Sequence, residues 1–227
     1  MIYCVSDLHG CYDKYIRMIE KINLQGSDTL YILGDCVDRG PRSMEILLDI
    51  VSRKNVVLIC GNHDYHAASL LQWLGKPLQK GVTQEDLIMA FNAWFSGNGG
   101  GPTFEGFRLL SQQNREIVLN LIRHAPNSIR IEIGGQRFLL AHTVPEYEKW
   151  VSGCEERDFL EGEPDYEIQY DKDLILVTGH TPTGLIDPTS KGKIWHGNNH
   201  IAIDCGAVFG NPLGCICLDT MEEFYVE

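Results

Sequence analysis

Short apolar runs alternate along this chain with apolar stripes at helical spacing. The runs are rich in β-branched residues, and this composition over four to six positions is typical of strands. We predict strands at Ile2–Ser6, Thr29–Leu33, Val56–Cys60, Ile129–Ile133, Arg137–Ala141, Leu174–Thr178, Ile201–Asp204, Leu213–Leu218 and Glu223–Val226. Several of these runs are apolar at consecutive positions, as in strands that are covered on both faces. The alternation therefore favours a layered α/β fold.

Amphipathic helices fit between these strands. Apolar positions recur at helical spacing within Tyr15–Ile22 and within Leu47–Val51, and each stripe directly follows a strand. A longer helical insertion is predicted at about 65–125, where two further stripes follow a Thr83-x-x-Asp86 capping pattern. We interpret the apolar stripes of this insertion as core or cap packing. No linker or composition shift divides residues 1–227, so we expect a single domain.

Charge and cysteine usage limit the possible partners and compartment. The chain has 31 acidic residues against 19 lysines and arginines, and its net charge is −12. This charge opposes binding to a nucleic acid polymer or to an anionic membrane surface. Eight cysteines are scattered without a Cys-x-x-Cys pair, and there is no apolar stretch of about 18 residues. We expect a soluble cytoplasmic protein with reduced thiols, while the oligomeric state stays open.

Polar clusters follow the first three predicted strands and two later ones. They are Asp7-Leu8-His9-Gly10, Gly34-Asp35-Cys36-Val37-Asp38-Arg39-Gly40, Gly61-Asn62-His63-Asp64, Ala141-His142-Thr143 and Gly179-His180-Thr181. Because ligand sites in open α/β sheets form at the carboxyl ends of strands, we expect these clusters to converge. Neutral imidazole together with carboxylate or amide oxygen suits Mn, Fe or Zn, and two such ions can share one carboxylate.

In this order, the five blocks resemble those of the calcineurin-type metallophosphoesterases. The likeness spans Asp7 to His180 and is closer still to the phosphoprotein phosphatase superfamily, which includes lambda phosphatase and the bacterial diadenosine tetraphosphate hydrolases. It implies a four-layer α/β/β/α sandwich with a helical insertion and with the metals at one edge. It also implies two divalent metal ions, with Mn²⁺ as first choice and Fe, Zn, Ni or Co as alternatives.

The resemblance also implies a role for individual residues. The metal ligands would be Asp7, His9, Asp35, Asn62, His142 and His180, with Asp35 bridging the two ions. His63 would be the general acid that protonates the leaving oxygen, and Asp38 would hold its ring in the useful tautomer. Arg39 would bind a phosphoryl oxygen. Arg157 is the best match to the second phosphate-binding arginine, because Arg137 lies too early, on a strand.

These roles imply hydrolysis of a phosphoester by a metal-activated hydroxide, without a phosphoenzyme. Our first choice of substrate is phosphoserine or phosphothreonine in proteins. The alternative is symmetrical hydrolysis of diadenosine tetraphosphate or a similar dinucleoside polyphosphate, and small phosphomonoesters also stay open. The acidic stretch Glu155–Asp165 favours the first choice over a highly anionic nucleotide. A different class is a metal-binding regulatory module that has lost turnover.

Two other motifs suggest competing functions. The Cys36-x₅-Arg42 spacing is that of phosphatases with a cysteine nucleophile, but Asp35 and Asp38 would disfavour the thiolate and repel phosphate. We interpret Cys36 as a small residue beside the metals, with redox sensitivity as a minority hypothesis. The run Gly97-Asn98-Gly99-Gly100-Gly101 lacks the Lys-Ser/Thr of a P-loop, so we predict a flexible loop that borders the site.

Four histidines have no assigned role after these blocks are explained. They are His66, His124, His196 and His200. We interpret each as a surface or core residue and not as a ligand. His200 and Asp204 open and close a late predicted strand, so both are candidates for a place near the site.

Overall fold

Two five-stranded sheets form the centre of the structure, a computed structural model that describes residues 1–74 and 81–227. The strands are β1 (Ile2–Val5), β2 (Thr29–Leu33), β3 (Val56–Ile59), β4 (Ser128–Ile133), β5 (Gln136–Ala141), β6 (Leu174–Thr178), β7 (Trp195–Gly197), β8 (His200–Ala202), β9 (Leu213–Cys217) and β10 (Glu223–Val226). The first sheet has the order β10-β9-β1-β2-β3 and the second the order β4-β5-β6-β8-β7. In each sheet three adjacent strands are parallel, β1-β2-β3 and β5-β6-β8, so their carboxyl ends share an edge.

Helices cover the outer faces of both sheets. The helices are α1 (Tyr12–Lys21), α2 (Ser43–Ser52), α3 (Asn62–Leu71), α4 (Gln84–Asn92), α5 (Gly101–Leu109), α6 (Gln112–His124), α7 (Tyr147–Ser152), α8 (Asp158–Glu161) and α9 (Thr183–Ile186). A π-helical turn, Ala93–Gly97, joins the end of α4 to the loop before α5. Two 3₁₀ turns lie at Pro188–Ser190 and Ala207–Phe209.

Strand periodicity explains the four layers. Successive side chains point to opposite faces of a strand, and in β1 Cys4 packs between the two sheets while Tyr3 and Val5 pack under the helices. In β5, Leu140 likewise faces the first sheet, and Leu139 faces outward to a third apolar cluster beside α7 and α8. Because both faces of the central strands are buried, their sequences are apolar at consecutive positions. The predicted α/β/β/α sandwich is confirmed.

The nine predicted strands are all present, with bounds that differ by at most two residues at either end. The short strand β7 was missed, because a three-residue edge strand with the sequence Trp-His-Gly carries no periodicity signal. The Thr83 cap is confirmed, since its side-chain oxygen accepts a hydrogen bond from the backbone N–H of Asp86. That 1–227 form a single domain stays a prediction.

The predicted insertion at 65–125 contains most of α3 and all of α4, α5 and α6, and its residues 75–80 lie outside the described ranges. Helix α6 packs on the core with Val118 and Ile122 buried, as predicted. Helix α4 differs, because none of its residues is fully buried. Its Phe91 instead packs in an aromatic cluster with Trp94, and the ring centroids are 5.7 Å apart.

The structure also shows the state of the cysteines and the apolarity of the helices. All eight cysteines lie within the described ranges and are unpaired thiols, seven of them at least partly buried. Within the same ranges, no helix combines the length and apolarity that crossing a bilayer demands.

Candidate metal centre

The carboxylate of Asp35 lies at the centre of the converging strand ends. Its Oδ2 is 3.6 Å from Nε2 of His9 and 3.5 Å from Nε2 of His142, which come from different sheets. Its Oδ1 accepts a hydrogen bond of 3.0 Å from the backbone N–H of His63. That bond fixes the carboxylate so that Oδ2 faces both imidazoles. Asp35 therefore occupies the position that a bridging ligand requires.

The imidazoles of His9 and His142 are held in the tautomer that a metal ligand needs. Nδ1 of His9 lies 2.7 Å from the carbonyl oxygen of Val37, and Nδ1 of His142 lies 2.8 Å from that of Leu33. A carbonyl oxygen only accepts hydrogen bonds, so we assign the ring proton to Nδ1. Nε2 of each ring then directs a lone pair at Asp35. Such backbone anchoring of the second ring nitrogen is the usual support of metal-binding histidines.

The other predicted ligands complete two halves around Asp35. On one side, Oδ1 of Asp7 is 4.0 Å from Nε2 of His9. On the other, Nε2 of His142 is 2.9 Å from Oδ1 of Asn62 and 3.0 Å from Nδ1 of His180. The structure thus brings together all six predicted ligands, which we call the ligand cluster. Oxygen and nitrogen lone pairs crowded so closely repel one another unless a cation lies among them, so this donor set fits divalent metal ions.

Burial makes the ligand cluster electrostatically costly without a counter-charge. Burial raises the pKa of Asp7, with the nearby Asp204 carboxylate adding to it, and burial also raises the pKa of Asp35, with Asp7 as the next cause. Burial, with the Arg39 cation as the next cause, lowers the pKa of His9 to about 2. Burial also lowers the pKa of His142, as does the neighbouring His180. Divalent cations would favour ionised carboxylates and neutral imidazoles together, so metal binding resolves this conflict.

The backbone of the site is strained where it presents these side chains. In the described ranges, ten non-glycine residues have positive φ, and six of them are predicted site residues. These six are Asp7 (51°), His9 (39°), Asp35 (56°), Asp38 (69°), Arg39 (67°) and His180 (67°). This left-handed region is costly for residues with a Cβ, and it persists only where surrounding contacts impose it. Such concentration of strain is typical of functional sites.

Asp64 supplies one of those surrounding contacts. Its carboxylate accepts backbone hydrogen bonds from Asp35 (2.8 Å), Cys36 (2.9 Å) and Gly61 (3.2 Å), so it ties the loop after β2 to the loop after β3. Gly61 must lack a side chain, because a Cβ there would overlap the carboxylate of Asp35. The sequence analysis assigned no role to Asp64. Its position in the Gly-Asn-His-Asp block was the signal that could have identified this bracing role.

His63 and Asp38 form a pair beside the ligand cluster. Nδ1 of His63 is 2.8 Å from Oδ2 of Asp38, so the carboxylate orients the ring and Nε2 faces the open side of the site. There Nη2 of Arg39 is 3.0 Å from Nε2 of His63, and Nη1 is 2.5 Å from Nε2 of His9. A phosphoryl oxygen placed at this point would meet both the guanidinium and the imidazole. The arrangement can therefore bind a phosphoryl group and deliver a proton to its leaving oxygen.

Bound metal ions would supply a hydroxide nucleophile near neutral pH and would neutralise charge on the phosphoryl oxygens. The protein's own contribution is to hold the ligands without reorganisation. Arg39 would add a fixed positive charge next to a phosphoryl group bound at this point. The lone pair of His9 Nε2 cannot serve both this guanidinium and a metal, so a bound metal would leave an N–H donor of Arg39 available to substrate.

Arg157 is the predicted site residue that the structure leaves outside the ligand cluster. Its side chain is 79% exposed, and its Nη2 is 2.8 Å from Oε2 of Glu161 on the same short helix. Within the described residues, its hydrogen bonds go to Glu161 and not to the cluster. The match to the family pattern that selected Arg157 contains no information about this partner. Its role in binding phosphate stays a prediction that this geometry does not support.

The histidines without an assigned role mostly form hydrogen bonds or ion pairs outside the ligand cluster. Exposed His196 pairs with Glu223, His124 caps its own helix through the carbonyl of Asn120, and His66 pairs with Glu161. Buried His200 bonds to Thr178 through Nε2, at 2.8 Å. Asp204 is also buried, and burial raises its pKa to about 6.

Cys36 is fully buried behind the ligand cluster, which bears on its proposed redox role. Burial raises the pKa of its thiol well above the ordinary value, and the carboxylates of Asp64 and Asp35 add to this shift. Because the thiolate is the reactive form, Cys36 is poorly suited to nucleophilic or redox chemistry. The interpretation of Cys36 as a small packing residue fits these surroundings.

Comparisons with known proteins place this site in a family. The sequence profile of the calcineurin-like phosphoesterases matches residues 1–202. The symmetrical bis(5'-nucleosyl)-tetraphosphatase of Acidovorax ebreus is 30% identical over 143 residues, which are 62% of this chain and 43% of that protein. The enzyme of the same name from Citrobacter koseri is 40% identical over 76 residues, 33% of this chain and 27% of its own length. The chain thus matches less than half the length of these curated relatives.

Solved structures share the fold. A proposed diadenosine tetraphosphatase has a TM-score of 0.67 at 19% identity, covering 99% of this chain and 92% of its own. A serine/threonine phosphatase from Saccharomyces cerevisiae has a TM-score of 0.59 at 14% identity, covering 100% and 80%. At such identities the likeness shows the fold alone. Together with the sequence profile, these findings show that the chain belongs to the calcineurin-like phosphoesterases, metal-dependent hydrolases of phosphoester bonds.

Proposed function

We propose that the chain hydrolyses dinucleoside polyphosphates, and that diadenosine tetraphosphate is cleaved symmetrically. This was the second choice from the sequence, behind phosphoserine and phosphothreonine in proteins. The names of the similar curated enzymes support the change of order. The structural observation that carries the proposal is a cavity of about 610 Å³ along α3, the helix that begins at the predicted ligand Asn62.

Residues of α3, α6 and α8 and the start of β4 line this cavity, and none of the six predicted ligands is among them. Cys60, on its wall, lies two residues before Asn62. Ser128, another wall residue, pairs in register with Ala141, which directly precedes His142. The volume falls within the range of about 300–1,000 Å³ that is usual for small-molecule sites. We infer that a substrate whose phosphate lies at the ligand cluster extends along α3 and places a non-phosphate group in this cavity.

The walls of the cavity suit a nucleobase. Tyr65, Ser69 and Gln72 line it and lie at three, seven and ten residues after Asn62, so they continue the helix face that starts with that ligand. Tyr65 is 51% exposed, and Phe159 lines the same cavity. Aromatic faces stack on bases whatever the base sequence. These features would bind one nucleoside while the phosphate chain crosses the ligand cluster.

The acidic stretch at Glu155–Asp165 is less repulsive toward nucleotides than its composition suggests. Oε2 of Glu161 is 2.8 Å from the guanidinium of Arg157, and Oε1 is 3.1 Å from Nε2 of His66. These contacts offset the charge of Glu161, and Arg123 lines the cavity together with Glu156. The acidic stretch is therefore a weaker argument for phosphoprotein substrates than it was from the sequence alone.

The proposal includes the roles of the site residues and the metal. The ligand cluster holds two ions, Mn²⁺ by first choice, and the bridging position belongs to Asp35. His63 donates a proton to the leaving phosphate oxygen while Asp38 holds its ring, and Arg39 binds the phosphoryl group. The cytoplasmic location expected from the sequence stays a prediction.

The direct test compares substrates with Mn²⁺ supplied. We expect a higher kcat/KM for diadenosine tetraphosphate than for a phosphoserine and phosphothreonine peptide panel, with ADP as the product. Higher kcat/KM on the peptides would restore the protein phosphatase as the better proposal. No turnover of any substrate by the metal-bound protein would instead favour the regulatory module.

A variant pair tests the cavity. Tyr65→Ala should raise KM for diadenosine tetraphosphate and leave p-nitrophenyl phosphate hydrolysis near the wild-type rate, because the small substrate carries no nucleoside. Tyr147→Ala is the matched control, since Tyr147 lines a separate cavity. Equal effects of Tyr65→Ala on both substrates would argue against a nucleoside in this cavity.

A further inference from the structure

Trp94 reaches from the insertion into the His63–Asp38 pair. Its indole Nε1–H donates to Oδ2 of Asp38 at 2.8 Å. Nδ1 of His63 contacts the same oxygen, also at 2.8 Å. The other oxygen, Oδ1, is buried and has no hydrogen-bond partner among the described residues. The orientation of the Asp38 carboxylate therefore depends on Oδ2 alone, where Trp94 and His63 meet.

The insertion holds the same loop at two further points. The backbone N–H of Asp38 donates to Oγ1 of Thr103 at 2.7 Å, and that of Arg39 donates to the carbonyl of Gly99 at 2.7 Å. Asp38 and Arg39 both have left-handed φ, 69° and 67°. A backbone in this region needs external support. Segment 94–103 supplies that support for the residues that orient the proton donor and bind phosphate.

The indole itself has little freedom to move. Trp94 is 2% exposed and lies in the π-helical turn Ala93–Gly97, a rare geometry that often occurs at functional sites. A Cβ at Gly100 would overlap its ring, so the chain passes this close to the indole only because residue 100 is glycine. Phe91 packs against the ring edge with centroids 5.7 Å apart. The turn and the glycine together aim Nε1 at Asp38.

We propose that Trp94 is a positioning residue for proton donation by His63, acting through Asp38. The proposal deepens the proposed function and rests on it for the role of His63. The indole N–H is only a hydrogen-bond donor, so Trp94 cannot take a proton from Asp38 or His63. Its bond fixes Oδ2 in the direction of Nδ1 of His63. The ring of His63 is then held with Nε2 toward the leaving oxygen.

The leaving group provides a readout that packing alone would not change. Proton donation matters most for a poor leaving group, so it matters more for phenyl phosphate than for p-nitrophenyl phosphate. Trp94→Phe removes the N–H and keeps an aromatic ring. We expect kcat on phenyl phosphate to fall roughly 10-fold, part of the ~10²–10⁴-fold that a general acid contributes. The loss on p-nitrophenyl phosphate should be smaller, with KM little changed on both.

Phe95→Leu is the matched control. Phe95 lies in the same π-helical turn and packs against Phe91 and Phe104, but it makes no hydrogen bond to Asp38. Any loss from weakened packing should therefore be equal for the two substrates. Thermal unfolding of both variants shows whether each is folded at the assay temperature.

A double variant tests whether the effect of Trp94→Phe acts through His63. In a His63→Asn background, Trp94→Phe should change kcat by less than about 2-fold, because residues that act through one group are not additive. The inference is wrong if Trp94→Phe lowers kcat equally on both substrates, or by the same factor with and without His63.

An activity-independent measurement separates this inference from the proposed function. The chain has four tryptophans, so the indole N–H resonance that disappears in Trp94→Phe identifies Trp94. We expect this resonance to shift in Asp38→Asn and to exchange slowly in the wild type. A resonance unaffected by Asp38→Asn would overturn the inference. A wild-type protein that binds metal and hydrolyses no phosphoester would overturn the proposed function instead.

Discussion

The sheet edge and the insertion contribute to one site in different ways. At the sheet edge, each of the parallel strands β1, β2 and β3 is followed within three residues by a member of the ligand cluster, namely Asp7, Asp35 or Asn62. The insertion contributes no predicted ligand. It supplies Trp94 and Thr103, whose hydrogen bonds go to Asp38. The sheet edge thus places the metal ligands, and the insertion orients the groups that act beside them.

This difference suggests how the two regions can vary. Metal ligands at strand ends are fixed by the hydrogen bonds of the sheets, so their geometry changes only if the fold changes. Segment 94–103 of the insertion instead reaches the site through a few hydrogen bonds, and an aromatic cluster around Phe91 packs behind it. We expect changes at the sheet edge to abolish metal binding and changes in the insertion to alter turnover with metal retained.

Asp35→Asn should have the largest effect, because it removes the charge that His9 and His142 approach from both sides. We expect loss of bound metal, measured by elemental analysis of dialysed protein, and loss of turnover. Asp13→Asn is a control, since Asp13 pairs with Arg42 on the surface. Full metal content in Asp35→Asn would contradict the role of the sheet edge.

His63→Asn should have the next largest effect. We expect kcat to fall roughly 10²–10⁴-fold, as for loss of a general acid, with metal content unchanged. Steady-state kinetics and elemental analysis on one preparation check both parts. Unchanged turnover would remove His63 from the mechanism and would leave its pairing with Asp38 without a catalytic purpose.

Gly100→Ala tests the insertion without touching a polar group. The added methyl would overlap the indole of Trp94, and such overpacking costs about 1–3 kcal/mol of stability. We expect a displaced indole and a kcat loss of the same kind as for Trp94→Phe, with metal retained. In Gly101→Ala the methyl would make ordinary contact with Phe95, at 3.5 Å, so it is the matched control. Equal kcat in the two variants would show that the insertion does not affect catalysis through Trp94.

The smallest expected effect concerns acid stability and uses His200, a buried histidine outside the ligand cluster. Burial lowers its pKa from 6.5 to about 3. The unfolded chain then binds a proton between those values that the folded chain does not, so stability falls as pH drops below about 6.5. His200→Gln should reduce the stability lost between pH 7.5 and pH 5, measured by urea unfolding. Equal loss in both proteins would contradict a neutral buried His200.

The difference between the regions also explains what the sequence could predict. Asp7, Asp35 and Asn62 follow apolar runs directly, so strand prediction and the rule for strand ends located them together. The contact of Trp94 with Asp38 spans 56 positions and depends on a π-helical turn. No periodicity indicates such a contact. The Gly97–Gly101 run was predicted to border the site, and its Gly99 carbonyl does contact Arg39, but its bracing role was not predicted.

Arg157 shows that the sequence can also suggest a role that the geometry does not support. Arg157 was chosen because it lies between His142 and His180 in the order of blocks, yet a short helix places Glu161 four residues later as its partner. Pairing at this spacing is a local property of helices. It was not considered, because the prediction started from the order of blocks and not from the helix.

The most direct test is a crystal structure of the Mn²⁺-loaded protein with anomalous diffraction. Two metal peaks about 3.5–4 Å apart are expected, with Oδ2 of Asp35 bound to both. His9 and Asp7 should bind one ion, and Asn62, His142 and His180 the other. A map in which Asp35 faces away from these residues, or in which no metal binds between them, would contradict the account.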